Sequence, residues 1–181
     1  MALSVLTVLP ILLGYGILIC VLRRCSLWEL RWQRARMQVL SDDIQALCES
    51  NHHERIETCL DEVGGLFAAS AREILWYDTC VPGRCLRIVE RCAGRMSSMS
   101  AILFLSVGSL VTAAVLGASG IALPSLYLWE GVHWWIVGAA SLATVYSASC
   151  YSEIWRARRA LHIEIASTLE VLWHRMKYSA R

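Results

Sequence analysis

The side chains of this chain best suited to chemistry are its thiols and imidazoles, eight cysteines and five histidines among 181 residues. Cys80-Val-Pro-Gly-Arg-Cys85 would give two thiols to half of a zinc site, with His52 and His53 completing it. The C-x2-C spacing typical of structural zinc is absent, however. The competing reading, thiols acting as small buried side chains, is the one taken, and no metal and no other cofactor is expected. Glu54 and Glu57 beside the two histidines read as a solvated polar helix face. No nucleophile-base pair, phosphate-binding glycine loop or clustered carboxylate site is recognisable, so the chain is not expected to be an enzyme.

Hydroxyl and small side chains form the second group. Ser106, Ser109 and Thr112 recur in one apolar stretch, and Ser141, Thr144, Ser147 and Ser149 in another. The plain expectation is that such hydroxyls bond back to their own helix or across to a neighbour. The alternative makes Thr112, Thr144 and Ser147 candidate pore-lining residues. Ser109, Ala113, Gly117 and Gly120 put a small-residue ridge on the first stretch. Gly138 begins a similar ridge with Ala139, Ser141, Ala143 and Ser147. Ridges of this kind let helix backbones approach closely, so Ser109, Ala113, Gly117, Gly120 and Gly138 are candidate helix-packing positions.

The elements that would position these groups follow from hydropathy. With 56% of residues hydrophobic and only 18% charged, the chain is more apolar than a soluble domain of its size. About 18 uncharged apolar residues suffice for a helix to cross a bilayer. Three stretches meet that length, 2–22, 98–123 and 133–150, the last two split near Pro124 by a short loop carrying Tyr127, Trp129, Trp134 and Trp135. The first resembles an uncleaved anchor more than a signal peptide, because its arginines follow the apolar run. The expected fold is therefore an all-α membrane protein of one domain, 1–181, with three transmembrane helices.

Arginine placement gives the expected orientation. Arg23, Arg24, Arg31, Arg34 and Arg36 follow the first stretch, Arg84, Arg87, Arg91 and Arg95 precede the second, and Arg156, Arg158 and Arg159 follow the third. Positive charge marks the cytoplasmic side, so the N-terminus is expected outside the cytoplasm and the C-terminus inside, in an inner or plasma membrane. The lipid bilayer is then a partner. The net charge of +2 is spent at these boundaries, and no nucleic-acid partner is expected.

The cytoplasmic segment, 23–97, reads as short helices. Ser41 is the expected N-cap of one, with Asp42 and Asp43 in its first turn and Asn51 at its end. Ile56, Cys59, Leu60 and Val63 share a face of a second helix, which meets a break at Gly64-Gly65. A third carries Leu66, Phe67, Ser70, Ile74 and Leu75 and stops before a turn at Pro82-Gly83. From Arg84 a helix is expected to run into the second span. A tail helix over 151–181 places Ile154, Leu161, Ile165, Leu169 and Leu172 at helical spacing, an apolar stripe that needs a partner. The cytoplasmic helices, a second copy or the membrane surface could serve, and the helices are favoured.

In layout the chain resembles the MotA/TolQ/ExbB family, the channel subunits of stator-type motors. The resemblance is carried by the outside N-terminus, the single anchor, the helical segment including Gln38 to Leu60, the small-residue span with Gly108-Ser-Leu-Val-Thr112, the short outer loop and the prolonged last span. Its third span has neither the proline nor the polar glutamate of that pattern. The resemblance implies a homo-oligomer, a pentamer, around a single-span partner that supplies an essential aspartate. It implies ion transport, with proton flow lined by Thr112, Thr144 and Ser147. A competing expectation is a non-catalytic accessory or assembly subunit of a larger respiratory, photosynthetic or secretory complex.

Overall fold

The computed structural model describes residues 2–50, 54–76, 82–96 and 130–179. All of these except Ser50, Gly64 and Trp76 are α-helical. The helices are α1 (Ala2–Glu49), α2 (Glu54–Val63), α3 (Gly65–Leu75), α4 (Pro82–Met96) and α5 (Glu130–Ser179).

Among the described residues, no helix is long and apolar enough to cross a membrane. This corrects the expectation of an all-α membrane protein with three transmembrane helices. The stretches 2–22 and 133–150 are parts of helices of 48 and 50 residues that run on into charged sequence. Uncharged is also not the same as apolar: Ser141, Thr144, Ser147, Ser149 and Ser152 dilute the start of α5 before Glu153 interrupts it. The second stretch, 98–123, lies outside the described residues.

The start of α1 tolerates Pro10, and beyond Gly16 no glycine or proline interrupts it. Glu29 to Gln33 (3.2 Å) and Gln45 to Glu49 (3.0 Å) tie successive turns. Ser41 is therefore interior to a helix, where the sequence suggested a cap. The end of α1 is closed by Ser50, whose hydroxyl donates to the carbonyls of Ala46 (2.9 Å) and Leu47 (3.2 Å) while its backbone N–H also donates to Ala46 (3.0 Å). Gly64 and Gly65, at φ +60° and +88°, make the break between α2 and α3, a conformation that side chains with a Cβ resist. Pro82 opens α4 instead of marking a turn ahead of it, since the first helical position needs no N–H donor.

The chain divides into two compact units. The first joins Met1–Ser26 to Met99–Trp155. In it Tyr15, Ile19 and Ser26 of α1 and Cys150 and Ile154 of α5 are buried. Arg23 and Glu153 form a two-pronged ion pair there, with Nε and Nη2 donating to Oε2 (3.0 Å) and Oε1 (3.1 Å). Hydrogen bonding to Glu153, and then its charge, raise the Arg23 pKa.

The second unit joins Leu27–Ser98 to Arg156–Arg181 and holds the larger core. Met37, Leu40, Ile44 and Cys48 of α1 and Leu161, Ile165, Leu169 and Leu172 of α5 recur at intervals of three and four, the spacing that keeps one helix face against a partner. The same core takes in Ile56 and Leu60 of α2, Phe67, Ala71 and Ile74 of α3 and Cys85, Val89 and Cys92 of α4. The stripe read from the sequence of the tail helix thus finds its cover in these helices. Arg34 meets Glu164 (2.6 Å), Arg175 meets Glu49 (3.9 Å), and Arg72 pairs with Asp61.

A candidate protein-docking site

In the second unit, α1 carries Trp28, Trp32 and Arg36 one turn apart, so the three side chains stack up one face. The indoles of Trp28 and Trp32 lie 6.5 Å apart and 15° from parallel. The Arg36 guanidinium sits 3.9 Å from the centre of the Trp32 ring, a cation–π contact. This ladder is open to solvent, with Trp28 67% and Trp32 46% exposed.

Beside it lies a cavity of about 150 Å³. It is lined by Met37 and Leu40 of α1, Phe67 of α3 and Ile165 of α5, and also by Glu29, Trp32, Gln33 and Arg36 of α1. The Gly64-Gly65 break also lines it, and nothing lies within 4 Å of where a Cβ would stand on either residue. The same two glycines therefore make the turn and keep the space clear. Drug-sized ligands occupy roughly 300–1,000 Å³, whereas an apolar cavity of about 150 Å³ holds a benzene-sized guest. A single phenyl or branched aliphatic side chain matches both the size and the lining.

The earlier candidate residues are not gathered here. Thr112, Ser109, Ala113, Gly117 and Gly120 lie outside the described residues, as do His52, His53 and Cys80. Thr144 is exposed in the first unit. Ser147 is half-buried, and its hydroxyl donates to the carbonyl of Thr144 (3.0 Å), which is the back-bonding expected of an ordinary helix serine. Gly138 is exposed, and among the described residues nothing lies within 4 Å of where a Cβ there would stand. Cys48, Cys85 and Cys92 are buried in the second unit's core, as small side chains would be. Among the described residues no three His, Cys, Asp or Glu side chains are grouped to hold a metal. The docking residues have their own sequence signal, Trp28-x3-Trp32-x3-Arg36, which reading the arginines as boundary markers concealed.

No protein-family model matches the sequence, and neither a curated protein nor a solved structure matches it. The likeness in layout to the MotA/TolQ/ExbB family gains no support from these comparisons.

Proposed function

We propose that this chain is a non-catalytic assembly subunit that binds another protein through the cavity beside Trp32. The observation that carries this reading is the pairing of an open apolar cavity of one-side-chain size with two stacked, solvent-exposed tryptophans and an arginine. Tryptophan and arginine are the residues most enriched where single side chains dominate binding energy. The partner is an acidic amphipathic helix bearing one phenylalanine or leucine. Its apolar side chain fills the cavity, and a carboxylate next to that side chain meets Arg36. The stator reading is not carried further, because among the described residues no helix is long and apolar enough to cross a membrane, which its layout requires.

Large aliphatic side chains exposed elsewhere agree with a subunit role. In the first unit Ile17 (64%), Leu142 (72%) and Val145 (67%) face outward, the kind of surface that marks association when it is contiguous.

Fluorescence anisotropy of a labelled acidic helical peptide with a single phenylalanine tests the proposal against the same peptide with alanine in that place. Burying a phenylalanine contributes about 1.5–3 kcal/mol, so the alanine peptide should bind about 10- to 100-fold more weakly. Trp32→Ala in the protein should weaken the phenylalanine peptide comparably and leave the alanine peptide nearly unchanged. Equal affinity for the two peptides would mean that the cavity is not the binding element.

A further inference from the structure

We infer that this chain pairs with a second copy of itself through the outward face of α1 between Trp28 and Val39, the two helices running antiparallel. Trp28, Trp32, Ala35 and Val39 recur at four, three and four residues, the heptad spacing that lays one seam of a helix against another. All four are exposed. They stand roughly 140° around the helix from Met37, Leu40 and Ile44, which face the core, at about 100° per residue. This part of α1 therefore has two apolar faces, and folding covers one of them.

Size and charge select the alignment. With the two-fold axis between Gln33 and Arg34, Trp32 of each copy meets Ala35 of the other and Trp28 meets Val39, so every indole faces a smaller side chain. The flanks agree. Glu29 of each copy comes beside Arg36 of the other, giving two pairs of opposite charge, while Arg31 falls beside Gln38 on the other edge. A parallel pairing in register would stack Trp28 on Trp28 and Trp32 on Trp32, and it would bring Arg31 of each copy beside Arg36 of the other. Like charges set against each other oppose that arrangement. The antiparallel interface uses the same patch on both copies and closes on itself, so it makes dimers and not chains.

The exposed portions of four tryptophans place roughly 350–550 Å² in this interface. A seam of so few residues a side stays below the roughly 1,200 Å² of a stable complex, and the dimer is accordingly weak, forming at micromolar or higher concentration. Arg36 also lines the cavity beside Trp32. A second copy and an acidic peptide therefore compete for the same guanidinium, although the dimer does not rest on the docking reading.

Sedimentation velocity of the full-length chain should show a monomer–dimer equilibrium in the absence of any peptide. Glu29→Arg and Arg36→Glu alter exposed side chains, and each should weaken the dimer about 10-fold or more, because each turns two attractive pairs into two repulsive ones. An equimolar mixture of the two variants should dimerise at least as well as the parent chain, since both pairs across the mixed interface are again of opposite charge. Trp28→Ala should weaken the dimer about 30-fold or more. Trp28 does not line the cavity, so this variant separates the two readings and should bind the phenylalanine peptide no worse than the parent. A chain that stays monomeric through a concentration series into the high micromolar range would overturn the inference, as would a dimer indifferent to Trp28→Ala. A dimer tightened by Arg36→Glu would overturn the antiparallel alignment, since parallel pairing is the arrangement that sets Arg36 beside Arg31.

Discussion

Replacing Ser70 with alanine should stabilise this protein. Ser70 sits in the middle of α3, 0% exposed, and its Oγ has no hydrogen-bond partner. A buried hydroxyl that gives up water without gaining a bond costs about 1–3 kcal/mol. Alanine removes that cost. It leaves a void of one oxygen, roughly 10–15 Å³, which at about 24 cal/mol per Å³ costs only about 0.3 kcal/mol. Alanine is also the better helix former, by about 0.5 kcal/mol. The sum favours Ser70→Ala by about 1–3 kcal/mol, or a rise of roughly 2–12 °C in melting temperature for a chain of this size. Urea unfolding followed by helical circular dichroism would show the midpoint moving up with the slope unchanged. Ser167 is the control. It is exposed and donates to the Glu164 carbonyl (2.9 Å), so Ser167→Ala should change stability by less than about 0.5 kcal/mol. A loss of 1 kcal/mol or more in Ser70→Ala would show that the hydroxyl is bonded in solution and would refute the reasoning.

Two further perturbations test the turn and the charge balance of the same unit. Gly65→Ala should cost at least about 1 kcal/mol in denaturant unfolding, through backbone strain at φ +88° and not through a clash, since the space around it is open; an unchanged midpoint would mean the turn relaxes. His162 has its pKa lowered from the ordinary 6.5, first by burial and then by the charge of Arg158, with Glu90 acting the other way. Because the folded protein disfavours the imidazolium, His162 contributes stability that is complete above about pH 6.5 and is lost as the pH falls below it. Melting temperatures measured between neutral pH and about pH 5 should therefore fall less steeply in His162→Gln than in the parent chain, and identical slopes would sink the assignment.

Much of the helical architecture was legible because local rules and packing agree. Gly64-Gly65 broke the helix where two consecutive residues take positive φ, and Leu161, Ile165, Leu169 and Leu172 announced a buried face by spacing alone. Ser41-Asp-Asp misled, because an N-cap signature is outweighed when Leu40 and Ile44 on either side are held in a core. Pro82 misled for the opposite reason, since proline ends one helix and begins another equally well. The stretch 133–150 was misjudged by counting the absence of charge as if it were hydropathy. The docking cavity was not legible at all. It requires α1, the α2–α3 turn and α5 to converge, and no pattern within one element encodes a space between three.

The order of charges explains how α1 and α5 keep their register in the second unit. An apolar seam of Met37, Leu40, Ile44 and Cys48 against Leu161, Ile165, Leu169 and Leu172 is nearly indifferent to a shift of one heptad, because leucines and isoleucines replace one another. The ion pairs are not indifferent. Arg34 meets Glu164, and farther along Glu49 meets Arg175, so the sign on each helix reverses between the two points. A seven-residue slip would set Arg34 against Val171 or Ala157, and in the second case it would bring Thr168 against Glu49. Exposed pairs of this kind contribute only about 0.2–1 kcal/mol each to stability. Their effect is on which alignment wins, and the alignment is what brings Ile165 to the wall of the cavity beside Trp32.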